Sequence, residues 1–127
     1  MLALGEDLRG YLLIGTAGHG LFRQRGDAFE PVGSETGIVA RRVLSIRLDD
    51  EGRCWVGTER GLFVDPGDGR FLQVEGLDHA VRATTDNGDS LWAATSKGLF
   101  VLHTRTLPWR ARALPVPEAS LTSATRD

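Results

Sequence analysis

One cysteine (Cys54), one methionine and one tyrosine (Tyr11) in 127 residues exclude a good deal. With one thiol there is no internal disulfide and no zinc site built from cysteines, and beside Trp55 in an apolar stretch Cys54 reads as a buried, inert side chain. No apolar run approaches the roughly 18 residues of a membrane span, and Met1 to Leu4 run straight into Glu6 and Asp7, which is not the pattern of a secretory leader. Helical periodicity is missing too: no window of about a dozen residues carries apolar side chains at i, i+3, i+4 and i+7 without an intervening Gly. Cations are not in surplus, with 15 Lys and Arg against 17 Asp and Glu and a net charge of -2, so no general attraction to nucleic acid or to an anionic membrane surface is expected. His19, His79 and His103 lack paired-ligand spacing, and nucleophile motifs and phosphate-cradling loops are absent. Metal, cofactor and catalytic residues are therefore not expected.

What the chain does have is glycine, 16 residues of it, and a phrase written three times. The clearest copy is Cys54 to Phe63, Cys-Trp-Val-Gly-Thr-Glu-Arg-Gly-Leu-Phe. Before it stand Leu12 to Thr16 and Gly20 to Phe22, and after it Leu91 to Thr95 and Gly98 to Phe100. An acidic residue precedes each Trp or Leu by six positions, as Asp7 before Leu13, Asp49 before Trp55 and Asp86 before Trp92, and an aromatic follows each Thr by 13 or 14, as Phe29, Phe71 and Trp109. Self-similarity at a fixed period means a repeat architecture.

Each unit reads as four short strands. In the second, Val43 to Leu48 alternates Leu44, Ile46 and Leu48 against Ser45 and Arg47, the period of a half-buried strand. Asp49 to Gly52 is a tight turn, Arg53 to Gly57 and Gly61 to Val64 are strands, and Pro66 to Gly69 turns into Arg70 to Val74. The third unit repeats this with Ala80 to Thr85, a turn at Asp86 to Asp89, Ser90 to Ala94, Gly98 to His103 and Trp109 to Ala113. In the first, Tyr11 to Ile14 reads as a strand buried on both faces, and Pro31, which cannot donate to a ladder, places Phe29 to Val32 on an outer edge. The expected organisation is residues 1–42, 43–79 and 80–120 as three units, with 121–127 opening a fourth. The fourth is inferred from acids recurring at Asp7, Asp49, Asp86 and Asp127, at spacings of 42, 37 and 41. The fold class is all-β: a β-propeller fragment of three four-stranded antiparallel blades.

Val43, Ile46, Asp49, Gly52, Trp55, Val56, Gly57, Thr58, Gly61, Leu62 and Phe63 together resemble the two-component regulator propeller repeat. The third unit departs by Ala94 in place of the Gly, and the first by Leu13 in place of the Trp. The resemblance implies a non-catalytic sensor module from the extracytoplasmic, periplasmic part of a hybrid histidine kinase, with a carbohydrate-derived or anionic ligand. The parent would carry the kinase and further blades. Three units make about half of a ring of four to eight blades, so the partners expected are those further blades or, alone, self-association.

Asp49, Gly52, Trp55, Gly57, Thr58 and Gly61, with Asp86, Trp92, Thr95 and Gly98, read as structural motif residues, because they recur once per unit at turns and strand centres. Trp55 and Trp92 are expected to be buried between blades. His19, Arg60 and Lys97 stand just before the Gly of each second turn, on the face expected to carry Arg41, Arg42 and His79, and are the candidate ligand-binding residues. The alternative is a fragment of a propeller enzyme, a sialidase-like glycosidase or a lyase. Asp50, Gly52 and Trp55 partly match the sialidase Asp box, but Leu48 stands where it wants Ser or Thr, and Tyr11 is expected in a core strand.

Overall fold

The structure, a computed structural model, describes residues 3–7, 9–32, 37–38, 40–67, 69–86, 89–105 and 109–114. Twelve strands form three four-stranded antiparallel sheets, and no helix occurs among the described residues. The first sheet has the order β1 (Ala3–Glu6), β2 (Leu12–Gly15), β3 (Leu21–Arg25), β4 (Ala28–Val32). The second is β5 (Val43–Leu48), β6 (Cys54–Thr58), β7 (Gly61–Asp65), β8 (Leu72–Gln73), and the third β9 (Val81–Asp86), β10 (Ser90–Thr95), β11 (Gly98–His103), β12 (Arg112–Ala113). Each sheet is a meander, and the sheets come closest along their first strands β1, β5 and β9. This is a propeller fragment of three blades. Pro31 sits in β4, the edge strand, as its missing N–H requires. The fourth unit expected at 121–127 lies outside the described residues.

Register makes the three sheets superimposable residue by residue. Leu13 opposes Arg23, Trp55 opposes Val64 and Trp92 opposes Val101; Gly15, Gly57 and Ala94 oppose Leu21, Leu62 and Leu99. Alternation along a strand sends neighbouring side chains to opposite faces, so each sheet has a front, turned toward the following sheet, and a back. The front of the first sheet (Leu13, Leu21) packs on the back of the second (Cys54, Val56, Phe63, Phe71). The front of the second (Trp55, Leu62, Val64) packs on the back of the third (Leu91, Ala93, Phe100, Leu102, Ala111). Two apolar layers thus lie between three sheets, and Trp55, at 1% exposure, is the largest fully buried side chain.

Several expectations fail at the ends of the stack for one reason: a neighbour is needed on each face. Trp92 occupies the position of Trp55 but is only half-buried, because no described residues form a sheet in front of it. Leu12 and Ile14 are half-buried rather than enclosed, β2 begins at Leu12, and Tyr11 is exposed at 39% ahead of it instead of lying in a core strand. In the middle sheet the opposite correction holds. β5 was expected to show one face to water, yet Ile46 packs toward the first sheet while Arg47 donates from Nε to the Thr84 carbonyl of the third at 3.3 Å.

The outer strands are shorter than the sequence implied, two residues each in β8 and β12. Register also moves one aromatic. Phe29 and Phe71 are equivalent, but their counterpart in the third sheet is Ala111. Trp109 lies two residues earlier and packs its ring edge-on against Trp55, centroids 5.7 Å apart at 71°.

Candidate functional site

Each second-to-third-strand turn is built by the Thr of the repeated phrase. Thr58 Oγ1 donates to the Gly61 carbonyl at 2.9 Å and accepts the Arg60 N–H at 3.0 Å. Thr95 does the same with Gly98 and Lys97, at 2.7 and 3.0 Å. Thr16 does so with Gly20 and His19, at 2.8 and 2.9 Å, across a loop one residue longer. The side-chain hydroxyl thereby closes the turn. Gly61 takes φ +129, and a Cβ there would lie 3.2 Å from Asp78 Cα, so this position requires Gly on two counts.

His19, Arg60 and Lys97 therefore share one backbone geometry, and all three are exposed on the same end of their sheets. Among the described residues none of the three side chains forms an ion pair. The segment joining the first two sheets runs across this end: the Arg41 carbonyl accepts the Gly20 N–H at 2.7 Å and the Arg42 carbonyl accepts the Glu59 N–H at 3.2 Å. The Glu59 carboxylate accepts the N–H groups of both Arg41 (3.3 Å) and Arg42 (3.0 Å). His79 stands 3.6 Å from Asp78. Arg60 lines a surface hollow of about 370 Å³ with Glu59, Phe63, Gln73 and Asp78. The basic residues are therefore interleaved with acids that sequence reading overlooked, because Glu59 meets amides 17 and 18 residues away.

The opposite end carries the Asp turns. Asp49 Oδ1 accepts the N–H groups of Glu51 and Arg53, both at 2.9 Å; Oδ2 accepts Arg53 Nε at 2.7 Å and Trp55 Nε1 at 2.8 Å. The Gly52 N–H closes the turn onto the Asp49 carbonyl at 3.1 Å. Burial pushes the Asp49 carboxyl upward, but these hydrogen bonds and the Arg53 charge outweigh it and hold its pKa below the ordinary value. Arg53 also donates from Nη1 to the Thr104 carbonyl at 2.7 Å, its guanidinium 5.9 Å from both the Trp55 and Trp109 rings. Asp49 is thus a structural acceptor that fixes the Trp and ties two sheets together.

In the first sheet the same turn is met by a different solution. Asp7 Oδ1 accepts the N–H groups of Arg9 and Tyr11 at 3.0 Å, but the Leu13 side chain has no N–H to offer Oδ2. Arg23, from β3, brings Nε within 3.2 Å of it, an ion pair lacking the alignment of a hydrogen bond. Asp86 ends β9 opposite Leu91; residues 87–88 of its turn lie outside the described set.

Among the described residues no group of three His, Cys, Asp or Glu converges. Cys54 is buried, and desolvation, helped by Asp65 and Asp7, pushes its thiol up to about 12. No helix among the described residues is long and apolar enough to cross a membrane.

Residues 37–60 match the family model described as "Two component regulator propeller", a stretch that overlaps the repeat read from Val43 to Phe63. Thirteen solved chains match the fold. One is the extracellular domain assigned to the hybrid two component system BT3049 of B. thetaiotaomicron: TM-score 0.68, 21% identity, over 79% of this chain and 15% of that one. Another is the extracellular domain of BT4673 from the same organism, described once as a one component and once as a hybrid two component system. It aligns at TM-score 0.67 and 23% identity over 88% of this chain and 16% of that one. The chain thus spans about a sixth of the length of these structures. No curated protein matches it.

Proposed function

We propose that this chain is part of a non-catalytic β-propeller sensor module, on the extracytoplasmic side of a two-component regulatory system whose longer protein carries the histidine kinase and the remaining blades. The observation that carries this reading is the repeat match at residues 37–60 on a three-blade fold shared with extracellular domains of such systems. In this reading the units are residues 1–42, 43–79 and 80–120. The contact surface is the end bearing His19, Arg60 and Lys97, whose side chains form no ion pair among the described residues, while Glu59 accepts two connector amides and Asp78 stands 3.6 Å from His79. The partner is an anionic group, on an acidic saccharide or a neighbouring domain, drawn by the exposed basic side chains at a rim.

The test is a titration of the 127-residue chain with uronic-acid oligosaccharides at low ionic strength, followed by amide shifts in the nuclear magnetic resonance spectrum. Shifts confined to His19, Arg60, Lys97 and the 41–42 segment support the site, and Arg60→Ala with Lys97→Ala should weaken binding by roughly 0.5–2 kcal/mol in total. Binding unchanged in that double variant moves the contact surface elsewhere on the blades.

A further inference from the structure

The layer between the first and second sheets differs in chemistry from the layer between the second and third. In the latter, Trp55 and Val64, opposite one another on the front of the second sheet, cluster with Leu91 and Leu102, opposite one another on the back of the third. All four are apolar and buried. Register places Leu13 and Arg23 at the first pair of positions in the other layer, and Cys54 and Asp65 at the second pair. A shorter side chain, a cation, a thiol and an acid thus stand where the neighbouring layer has four apolar groups, and the change affects both walls at once.

Between these walls lies a narrow pocket of about 10 Å³, lined by Asp7, Arg23, Cys54 and Asp65 and by three glycines. Its polar groups are incompletely answered. Arg23 Nε is buried without a hydrogen bond, because Asp7 Oδ2 stands 3.2 Å away but out of line. Asp65, 5% exposed, accepts the Gly67 and Gly69 N–H groups at 2.8 and 3.0 Å, both on Oδ1, and forms no ion pair among the described residues. A buried donor without an acceptor and a buried carboxylate without a counter-charge are each costly. One water molecule answers both: it requires a volume on the order of 10–15 Å³ and two to four polar partners. A metal cation does not suit the site, since the Arg23 guanidinium beside the Asp7 carboxylate repels it.

We propose that this pocket is a hydration site holding one long-lived water molecule, which accepts a hydrogen bond from Arg23 and donates one each to the Asp7 and Asp65 carboxylates, bridging the first two sheets. Its walls are adjacent sheets of this chain, and it is independent of the proposed ligand surface.

Oxygen-17 relaxation dispersion of the solvent, to which labile protons do not contribute, counts long-lived internal waters in the 127-residue chain. Leu13→Trp combined with Arg23→Val brings the Trp55 and Val64 pair of the second sheet into the first, and should remove one such water while the strand signature in circular dichroism is kept. Cys54→Leu, matching Leu91 of the third sheet, fills the pocket from the opposite wall and should remove the same water. Gly18→Ala, remote from the pocket, should leave the count unchanged. A native chain with no long-lived water, or a folded variant of either wall with the native count, would overturn the proposal. Should one variant lose its strand signature the other decides, and water-to-amide Overhauser effects at Gly52, Gly67 and Gly69 of the native chain give a third reading, whose absence would also overturn it.

Discussion

The indole N–H of Trp55 donates to Asp49 Oδ2 at 2.8 Å, joining the acid at the head of the second turn to the aromatic at the centre of the second layer. The six-residue spacing read from the sequence is this bond. The carboxylate that folds its own turn also orients the ring that fills the space between sheets, so Asp49 couples local geometry to packing. Where Leu13 replaces the Trp, the second oxygen of Asp7 is met instead by the Arg23 guanidinium from two strands away.

Asp49→Ala leaves the Trp55 N–H, the Arg53 guanidinium and two backbone donors short of an acceptor. The expected loss is about 2–3 kcal/mol in urea unfolding, the range for orphaned buried donors. Asp49→Asn should recover part of it.

The same residue predicts a pH dependence. The folded-state pKa of Asp49 lies below its ordinary 3.8, so the unfolded chain takes up the proton first as pH falls. Its contribution is present above about pH 4 and is lost as pH drops through the lower folded value. Stability measured from pH 5 down to 2 should fall more steeply for the native chain than for Asp49→Asn; parallel curves would contradict the assignment.

Gly57→Ala should destabilise by about 1–3 kcal/mol, because the new methyl meets the Val81 backbone carbonyl, which cannot rotate away. Gly18→Ala is the control: nothing lies within 4 Å of its position, and the change should stay within about 0.5 kcal/mol. Thermal melts of both variants make the comparison.

Cys54 should resist alkylation by iodoacetamide at pH 8 in the folded chain and react promptly in denaturant. Its thiol is buried and pushed up to about 12 from 9.0, so thiolate is scarce as well as shielded. Equal labelling rates in the two states would show that the strand opens readily. Because the unfolded thiol ionises first, this group also withdraws stability as pH rises above about 9.

Most of the architecture was legible because the repeat is locked in phase: Trp55, Thr58 and Gly61 each do a job that recurs at fixed spacing. What escaped reading depends on neighbours. Alternation in β5 looked like one wet face, since no pattern within a strand reports that a second sheet will cover Ser45 and Arg47. Trp109 aligned with Phe71 by counting, but register pairs Ala111 there, a small residue that leaves room for a ring two positions back. Gly37 and Gly76, each followed by a buried Ile38 or Leu77, form a connector motif that went unnoticed for want of a third example. The basic turn residues were visible, and the acids that hold the connector beside them were not, because Glu59 acts on amides 17 and 18 residues away.

The two apolar layers, each made half from one sheet and half from the next, put the unit that is copied out of step with the unit that folds. A stretch of gene encoding one sheet carries the rear of one layer and the front of another. Shuffling such stretches therefore tests two seams at once, and a graft that places the third unit ahead of another must accommodate Ala94 where the native joins have nothing but a hydrogen.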